Sequence, residues 1–125
     1  MRQIVISIGE LSLRAELLET ATADAIWEML PITSHAQVWG EEVYFMTSVS
    51  ADLEDDAREV VEPGEIAFWP DGNAIAIGYG RTPISLGDET RLASPCNIWA
   101  RAVDDVRQLA AVAEGDALHV TSAQA

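Results

Sequence analysis

Isoleucines at positions 4, 6 and 8 alternate with Val5 and Ser7, and beyond Gly9 and Glu10 the apolar residues Leu11, Leu13, Ala15 and Leu17 keep the same interval. A period of two sends successive side chains to opposite faces of a strand, so the two runs predict a hairpin turning at the glycine. The interval then lengthens. Ala23, Ile26, Trp27 and Leu30 fall at helical spacing, Thr20 or Thr22 supplies a cap, and Pro31 stops the helix. Residues 35–49 read as strands again, with Gly40 a bulge or bend ahead of Val43, Tyr44, Phe45 and Met46.

The central stretch is a second hairpin. Apolar runs at residues 66–69 and 74–77 flank the turn Pro70, Asp71, Gly72, Asn73, and the second run ends in Gly78, Gly80 and a Thr82-Pro83 corner. Residues 97–103 form another strand. Asp104 or Asp105 can cap a second helix whose apolar stripe is Val106, Leu109, Ala110 and Val112, with Gly115 ending it. Residues 117–120 read as a closing strand, and residues 121–125 as loose. About eight short strands and two helices predict a mostly β domain spanning residues 1–125. The expected form is a closed or partly open β-barrel with the two helices capping its ends, since closure removes exposed strand edges.

Charge narrows the partners. The 125 residues carry 21 acidic and 7 basic side chains, a net charge of −14, and every basic residue is arginine. Neutralising phosphate needs cations, so nucleic acid is excluded as a partner, and anionic membrane surfaces are disfavoured for the same reason. The acidity reads first as a solubility device, and recruitment of a cationic ligand is the secondary reading. Residues 52–59 concentrate this charge in a solvated loop or short helix, without the ligand alternation or mid-loop glycine of an EF-hand. No apolar run approaches the roughly 18 residues that span a bilayer. The N-terminal run lacks the long apolar region of a signal peptide. The single cysteine, Cys96, excludes an internal disulfide and a cysteine-only metal site. A cytoplasmic location is expected, with no cofactor and no metal. The pattern assigns no oligomeric state.

Several separated motifs share one resemblance. Gly64-Glu65-Ile66-Ala67-Phe68-Trp69-Pro70, Asn73-Ala74, Gly80-Arg81-Thr82-Pro83-Ile84-Ser85, and Gly87-Asp88-Glu89 ahead of Ala93-Ser94 resemble a small prokaryotic cyclophilin-like domain family of largely unassigned function. Leu30-Pro31, Trp39-Gly40-Glu41-Glu42-Val43-Tyr44-Phe45 and Asn97-Ile98-Trp99-Ala100-Arg101 follow the same pattern. The resemblance covers most of the chain and implies a cyclophilin-like β-barrel with helices closing its ends. Prolyl-isomerase activity does not come with it. True cyclophilins use an arginine from a Phe-His-Arg segment with glutamine, phenylalanine and histidine in an apolar groove. This chain has no Phe-His-Arg, no Gln-Gly-Gly-Asp after it and no Gln-Phe-Phe. The same barrel also occurs in bacterial proteins linked to amide hydrolysis, so the fold alone does not choose a function.

The chemistry-bearing candidates are few. Gly78 and Gly80 bring backbone close to a ligand, Arg81 can bind a carboxylate, and Thr82 or Ser85 can orient it; the same residues can also build a tight barrel corner. Glu89 in Gly87-Asp88-Glu89-Thr90-Arg91 is a general base if burial raises its pKa, or the partner of an arginine. His35 and His119 lie far apart in sequence, and Ser34 beside His35 faces the other way on a strand, so no triad is expected. Cys96 reads as a buried apolar group. Trp27, Trp39 and Trp99 read as core, whereas Trp69 beside Pro70 is placed either in the core or at a barrel mouth against a proline ring or other apolar ligand. The leading expectation is a domain that binds a peptide or small carboxylate at the rim without catalysis, through Trp69, Arg81, Thr82, Ser85 and Glu89. The alternatives are a divergent peptidyl-prolyl isomerase and a subunit that docks a partner protein.

Overall fold

Gln3–Ile8 (β1) and Leu11–Leu17 (β2) pair antiparallel around Gly9, which takes a left-handed φ of 57°. Ile4, Ile6, Ile8, Leu13, Ala15 and Leu17 all point into one buried cluster, as their period of two requires. The computed structural model describes residues 2–123. After β2 the helix α1 (Ala21–Met29) begins at Thr20, whose hydroxyl accepts the Ala23 N–H at 3.0 Å, and it lays Ala23 and Ile26 into the same cluster.

The remaining strands are Ile32–His35 (β3), Gln37–Val38 (β4), Glu42–Met46 (β5), Arg58–Val61 (β6), Glu65–Trp69 (β7), Ala74–Gly78 (β8), Thr90–Ala102 (β9) and Ala117–Ser122 (β10). Their order is β3-β10-β1-β2-β9-β7-β8-β5-β4, and β6 pairs with β9 off this path. The two end strands leave one seam unsealed, making a nearly closed barrel. Across the seam the Ser34 hydroxyl donates to the Met46 carbonyl at 2.7 Å.

Ten strands replace the expected eight, because the residues around 32–46 break into β3, β4 and β5 with Ala36 and the Gly40 turn between them, and because Arg58–Val61 forms the additional strand β6. The second expected helix is a 3₁₀ helix, Val106–Ala111, started by Asp105 accepting the Arg107 N–H at 2.9 Å. Val106 and Leu109 lie three residues apart, the interval at which a 3₁₀ helix aligns side chains, and both are buried. Thr121 and Ser122 belong to β10, where Thr121 pairs with Val5, so they are not loose; residues 124–125 lie outside the described residues.

The acidic segment is tied down at one point. Asn97, fully buried on β9, donates to the Thr22 hydroxyl at 2.9 Å and the Asp52 carbonyl at 2.8 Å, and accepts the Glu54 N–H at 2.8 Å. Glu54 in turn accepts from the backbone and hydroxyl of Thr22. A stretch expected as a solvated loop or short helix therefore clamps the helix start to the barrel wall, and its last two residues, Arg58 and Glu59, belong to β6.

Strands β7 and β8 are buried on both faces. Their cross-strand pairs alternate between the two faces of the sheet. Ile66 opposite Ile77 and Phe68 opposite Ile75 fill the barrel with Trp99, while Ala67 opposite Ala76 and Trp69 opposite Ala74 face outward. Strand β9 explains the outer burial. It is 13 residues long and pairs first with β6, then with β7, then with β2. A second, smaller apolar cluster of Val61, Ala67, Ala76, Leu92 and Cys96 forms beneath this cover.

Candidate functional site

The outer face of β5 and β8 carries the groups that matter for chemistry. Alternation along β5 sends Val43 and Phe45 into the barrel and leaves Glu42 and Tyr44 on the other side. The turn before β5 brings Trp39 beside them. Gly40 takes a φ of 59°, and the Trp39 N–H donates to the Glu42 carbonyl at 3.0 Å, closing the β4–β5 connection. On β8 the residues facing outward are Ala74 and Ala76, whose small side chains leave room above the sheet. Trp69 closes one side. Its ring lies against Gly72, where an added Cβ would stand 2.3 Å from Cε3.

These elements enclose a pocket of about 180 Å³, walled by Trp39, Tyr44, Trp69 and Leu92 with Glu42 and Ser94 among its lining. It is the size for one ring or one side chain, since an apolar cavity of roughly 150 Å³ accepts benzene. Two polar atoms of its lining are buried without a hydrogen-bond partner: Glu42 Oε1 and Ser94 Oγ. Leaving such a group unsatisfied costs about 1–3 kcal/mol. Burial pushes the Glu42 carboxyl from its ordinary value of 4.5 up to about 7. Cys96 also lines the pocket; burial first, then the charges of Glu42 and Glu59, push its thiol up to about 12 and keep it protonated.

Of the residues the sequence singled out, Trp69 lies in this wall. Arg81, Thr82, Ser85 and Glu89 lie together in the segment between β8 and β9, which packs on the Gly40 turn: a Cβ at Gly40 would stand 2.8 Å from Pro83 Cδ. Thr82 and Ser85 are buried and hold that segment. The Ser85 hydroxyl accepts the N–H groups of Thr82 at 2.9 Å and Arg91 at 3.2 Å, and the Thr82 hydroxyl donates to the Arg91 carbonyl. Glu89 accepts the Leu86 N–H at 2.9 Å and the Arg91 Nε at 2.6 Å, and Arg91 keeps its carboxyl below the usual range.

The backbone N–H of Arg81 meets a carboxylate of the chain itself, Glu41 Oε1 at 3.0 Å. Neither Gly78 nor Gly80 needs positive φ; what each provides is close approach. A Cβ at Gly80 would stand 2.5 Å from Glu41 Oε1, and one at Gly78 would stand 2.4 Å from the Thr90 methyl. The Arg81 side chain is exposed and, among the described arginines, the only one without an ion-pair partner.

Sequence reasoning missed Glu42 and Ser94 and assigned Trp39 to the core. The alternation Glu42, Val43, Tyr44, Phe45 contained the signal for Glu42, since it put an acid on the same face as Tyr44. Nothing local announced that β9 would bury that face. His35 and His119 sit on β3 and β10, and His119 Nδ1 lies 3.4 Å from the Thr33 hydroxyl; neither residue lines the pocket. No cluster of three or more His, Cys, Asp or Glu residues able to hold a metal occurs among the described residues, and no helix there is long and apolar enough to cross a membrane.

A family model described as cyclophilin-like matches residues 2–121. The solution structure of the hypothetical protein AF2241 from Archaeoglobus fulgidus is similar, with 37% identity, a TM-score of 0.83, and 98% of this chain and 95% of that chain covered. A structure of McbB in complex with tryptophan is similar in fold at 18% identity and a TM-score of 0.62, covering 94% of this chain and 44% of that one. Comparison with curated proteins gives no match.

Proposed function

The chain belongs to the cyclophilin-like family, and we propose that it is a binding domain taking one side chain of an extended peptide, or a small molecule of that size, between Trp39 and Trp69. One observation carries this reading: an aromatic-walled pocket in which Glu42 Oε1 and Ser94 Oγ are both buried and unpartnered. A pocket with apolar walls and a few convergent polar groups is the usual form of a ligand site. Arg81 is outside the pocket lining, on the segment held by Thr82, Ser85 and Glu89 that packs on the Gly40 turn, and its exposed, unpaired guanidinium is the group on offer to a carboxylate of a longer ligand.

Binding without catalysis is the form the lining favours. The Cys96 thiol is held protonated at about 12, which withholds the nucleophilic thiolate, and the lining contains no histidine to activate Ser94. An NMR-detected screen of short peptides, small carboxylates, amines and aromatic compounds tests the reading. Ligands are expected to shift the Trp39 and Trp69 indole signals, Trp69→Ala to abolish binding, and Arg81→Ala to weaken those ligands that carry a carboxylate. A panel that moves neither indole ends the proposal. In a protease-coupled assay a Xaa-Pro peptide should isomerise at the rate seen in buffer; acceleration would replace this reading with a divergent prolyl isomerase.

A further inference from the structure

We propose that the pocket's occupant is a primary ammonium group, an alkylamine or lysine-like side chain, held by Glu42 and Ser94 inside the walls of Trp39, Tyr44 and Trp69. This rests on the binding reading above and narrows its ligand class. The argument begins with how the chain treats its two most buried glutamates. Glu65, 3% exposed, receives Arg58 Nη1 at 2.7 Å, the Glu62 N–H at 2.7 Å, and Arg101 Nη2 at 3.7 Å. Glu42, 6% exposed, receives no cation, and its Oε1 receives no donor.

Among the described residues no cation pairs with Glu42. The chain contains no lysine. Arg2, Arg14, Arg58, Arg91, Arg101 and Arg107 are engaged by other carboxylates, and the exposed Arg81 forms no ion pair with Glu42. Removing a carboxylate from water without a partner is costly enough that the group either stays protonated or meets a counter-charge. Burial raises the Glu42 pKa to about 7, so at mildly basic pH the carboxyl favours a bound cation that supplies the counter-charge the fold does not. Of the other titratable groups in the lining, Cys96 stays neutral there, and Glu59, which acts on Cys96, is engaged by Arg91.

A primary ammonium fits the vacant valences. It offers donors to Glu42 Oε1 and Ser94 Oγ alike, whereas a carboxylate ligand could accept from the Ser94 hydroxyl but has nothing to donate to Glu42 and would meet its charge. Aromatic walls add attraction for a cation through their π-electrons, and the net charge of −14 raises the local concentration of cations around the molecule. A bare metal ion is a poorer match, because one carboxylate and one hydroxyl fall short of the oxygen ligands that hard cations require.

The test titrates n-butylammonium, 1-butanol and butyrate in turn into the protein near pH 8 and physiological salt, following the assigned Trp39 and Trp69 indole signals. Butylammonium is expected to bind at least about tenfold more tightly than 1-butanol, the neutral compound of matching size, with butyrate weakest. Glu42→Gln, which keeps the shape, should reduce the affinity for butylammonium about tenfold and leave that for 1-butanol unchanged. If 1-butanol binds as well as butylammonium, or if Glu42→Gln leaves butylammonium unaffected, the ammonium assignment is overturned while the binding reading stands. If none of the three moves either indole, the ammonium assignment falls, and a blank result in the wider screen then removes the binding reading as well.

Discussion

Glu42 stands opposite Gly78 across the β5–β8 ladder, and the methyl of Thr90 occupies the space that a side chain at Gly78 would need. The carboxyl thus lies on the outer face of the sheet, 6% exposed and, among the described residues, in no ion pair with an arginine.

A carboxyl placed so binds its proton more tightly in the folded chain than in the unfolded one, with its pKa raised from 4.5 to about 7. The stability it contributes is complete below the unfolded value and is lost as pH rises through about 7. At about 1.4 kcal/mol per unit the loss is about 3 kcal/mol. Urea unfolding near pH 5.5 and near pH 8 should show the native protein weakening with pH and Glu42→Gln keeping its stability. Parallel behaviour of the two proteins would contradict a buried, unpaired Glu42.

Glu65 should behave with the opposite sign. Arg58 first, then the Glu62 N–H and the charge of Arg101, hold its carboxyl below the ordinary range, so its contribution is present above the unfolded pKa and lost as pH falls through the folded one. Arg58→Ala leaves Glu65 buried with the Glu62 N–H at 2.7 Å and Arg101, at 3.7 Å, as its one remaining cation. A cost of about 2 kcal/mol at neutral pH is expected, below that of a fully buried pair because Arg58 is partly solvated. The difference from the native protein should shrink in acid, where Glu65 is protonated; a constant difference would point to lost packing instead.

Asn97 joins three segments that are far apart in sequence, through Thr22, Asp52 and Glu54. Asn97→Ala should cost about 2 kcal/mol, because it strands a part-buried carbonyl and N–H as well as losing its own bonds. Hydrogen exchange separates this from general softening: the Glu54 amide should exchange faster at once, while amides of β1 and β2 follow only global unfolding.

Gly72→Ala tests how the pocket wall is built. The new methyl would meet the Trp69 ring at 2.3 Å from Cε3, so the ring must swing or the turn must move. Overpacking of this kind should cost about 1–2 kcal/mol. The Trp69 indole signal should shift, and pocket ligands should bind several-fold less tightly, while the barrel signals stay in place. An unmoved Trp69 would mean the turn absorbs the methyl and the wall does not depend on Gly72.

Much of the fold was legible in one dimension. The alternation of Ile4, Ile6 and Ile8, the glycine of the first hairpin, the Thr20 cap and the helical spacing of Ala23 and Ile26 depend on neighbours a few residues away, and these elements form where the pattern put them. The Gly64–Ser85 region likewise showed its hairpin, but left Trp69 between the core and a barrel mouth, whereas it lies on the outer face of the sheet. Periodicity says which side chains share a face, but it carries no information about what covers that face. That Glu42 and Tyr44 would lie under β9, that Ser94 would approach them from 50 residues along the chain, and that no arginine would reach Glu42 were decided by long-range strand pairing. Pairing β9 in turn with β6, β7 and β2 converts an ordinary outward-facing acid into a buried one without a partner. A carboxyl's chemistry follows its solvation, and only the tertiary structure sets that.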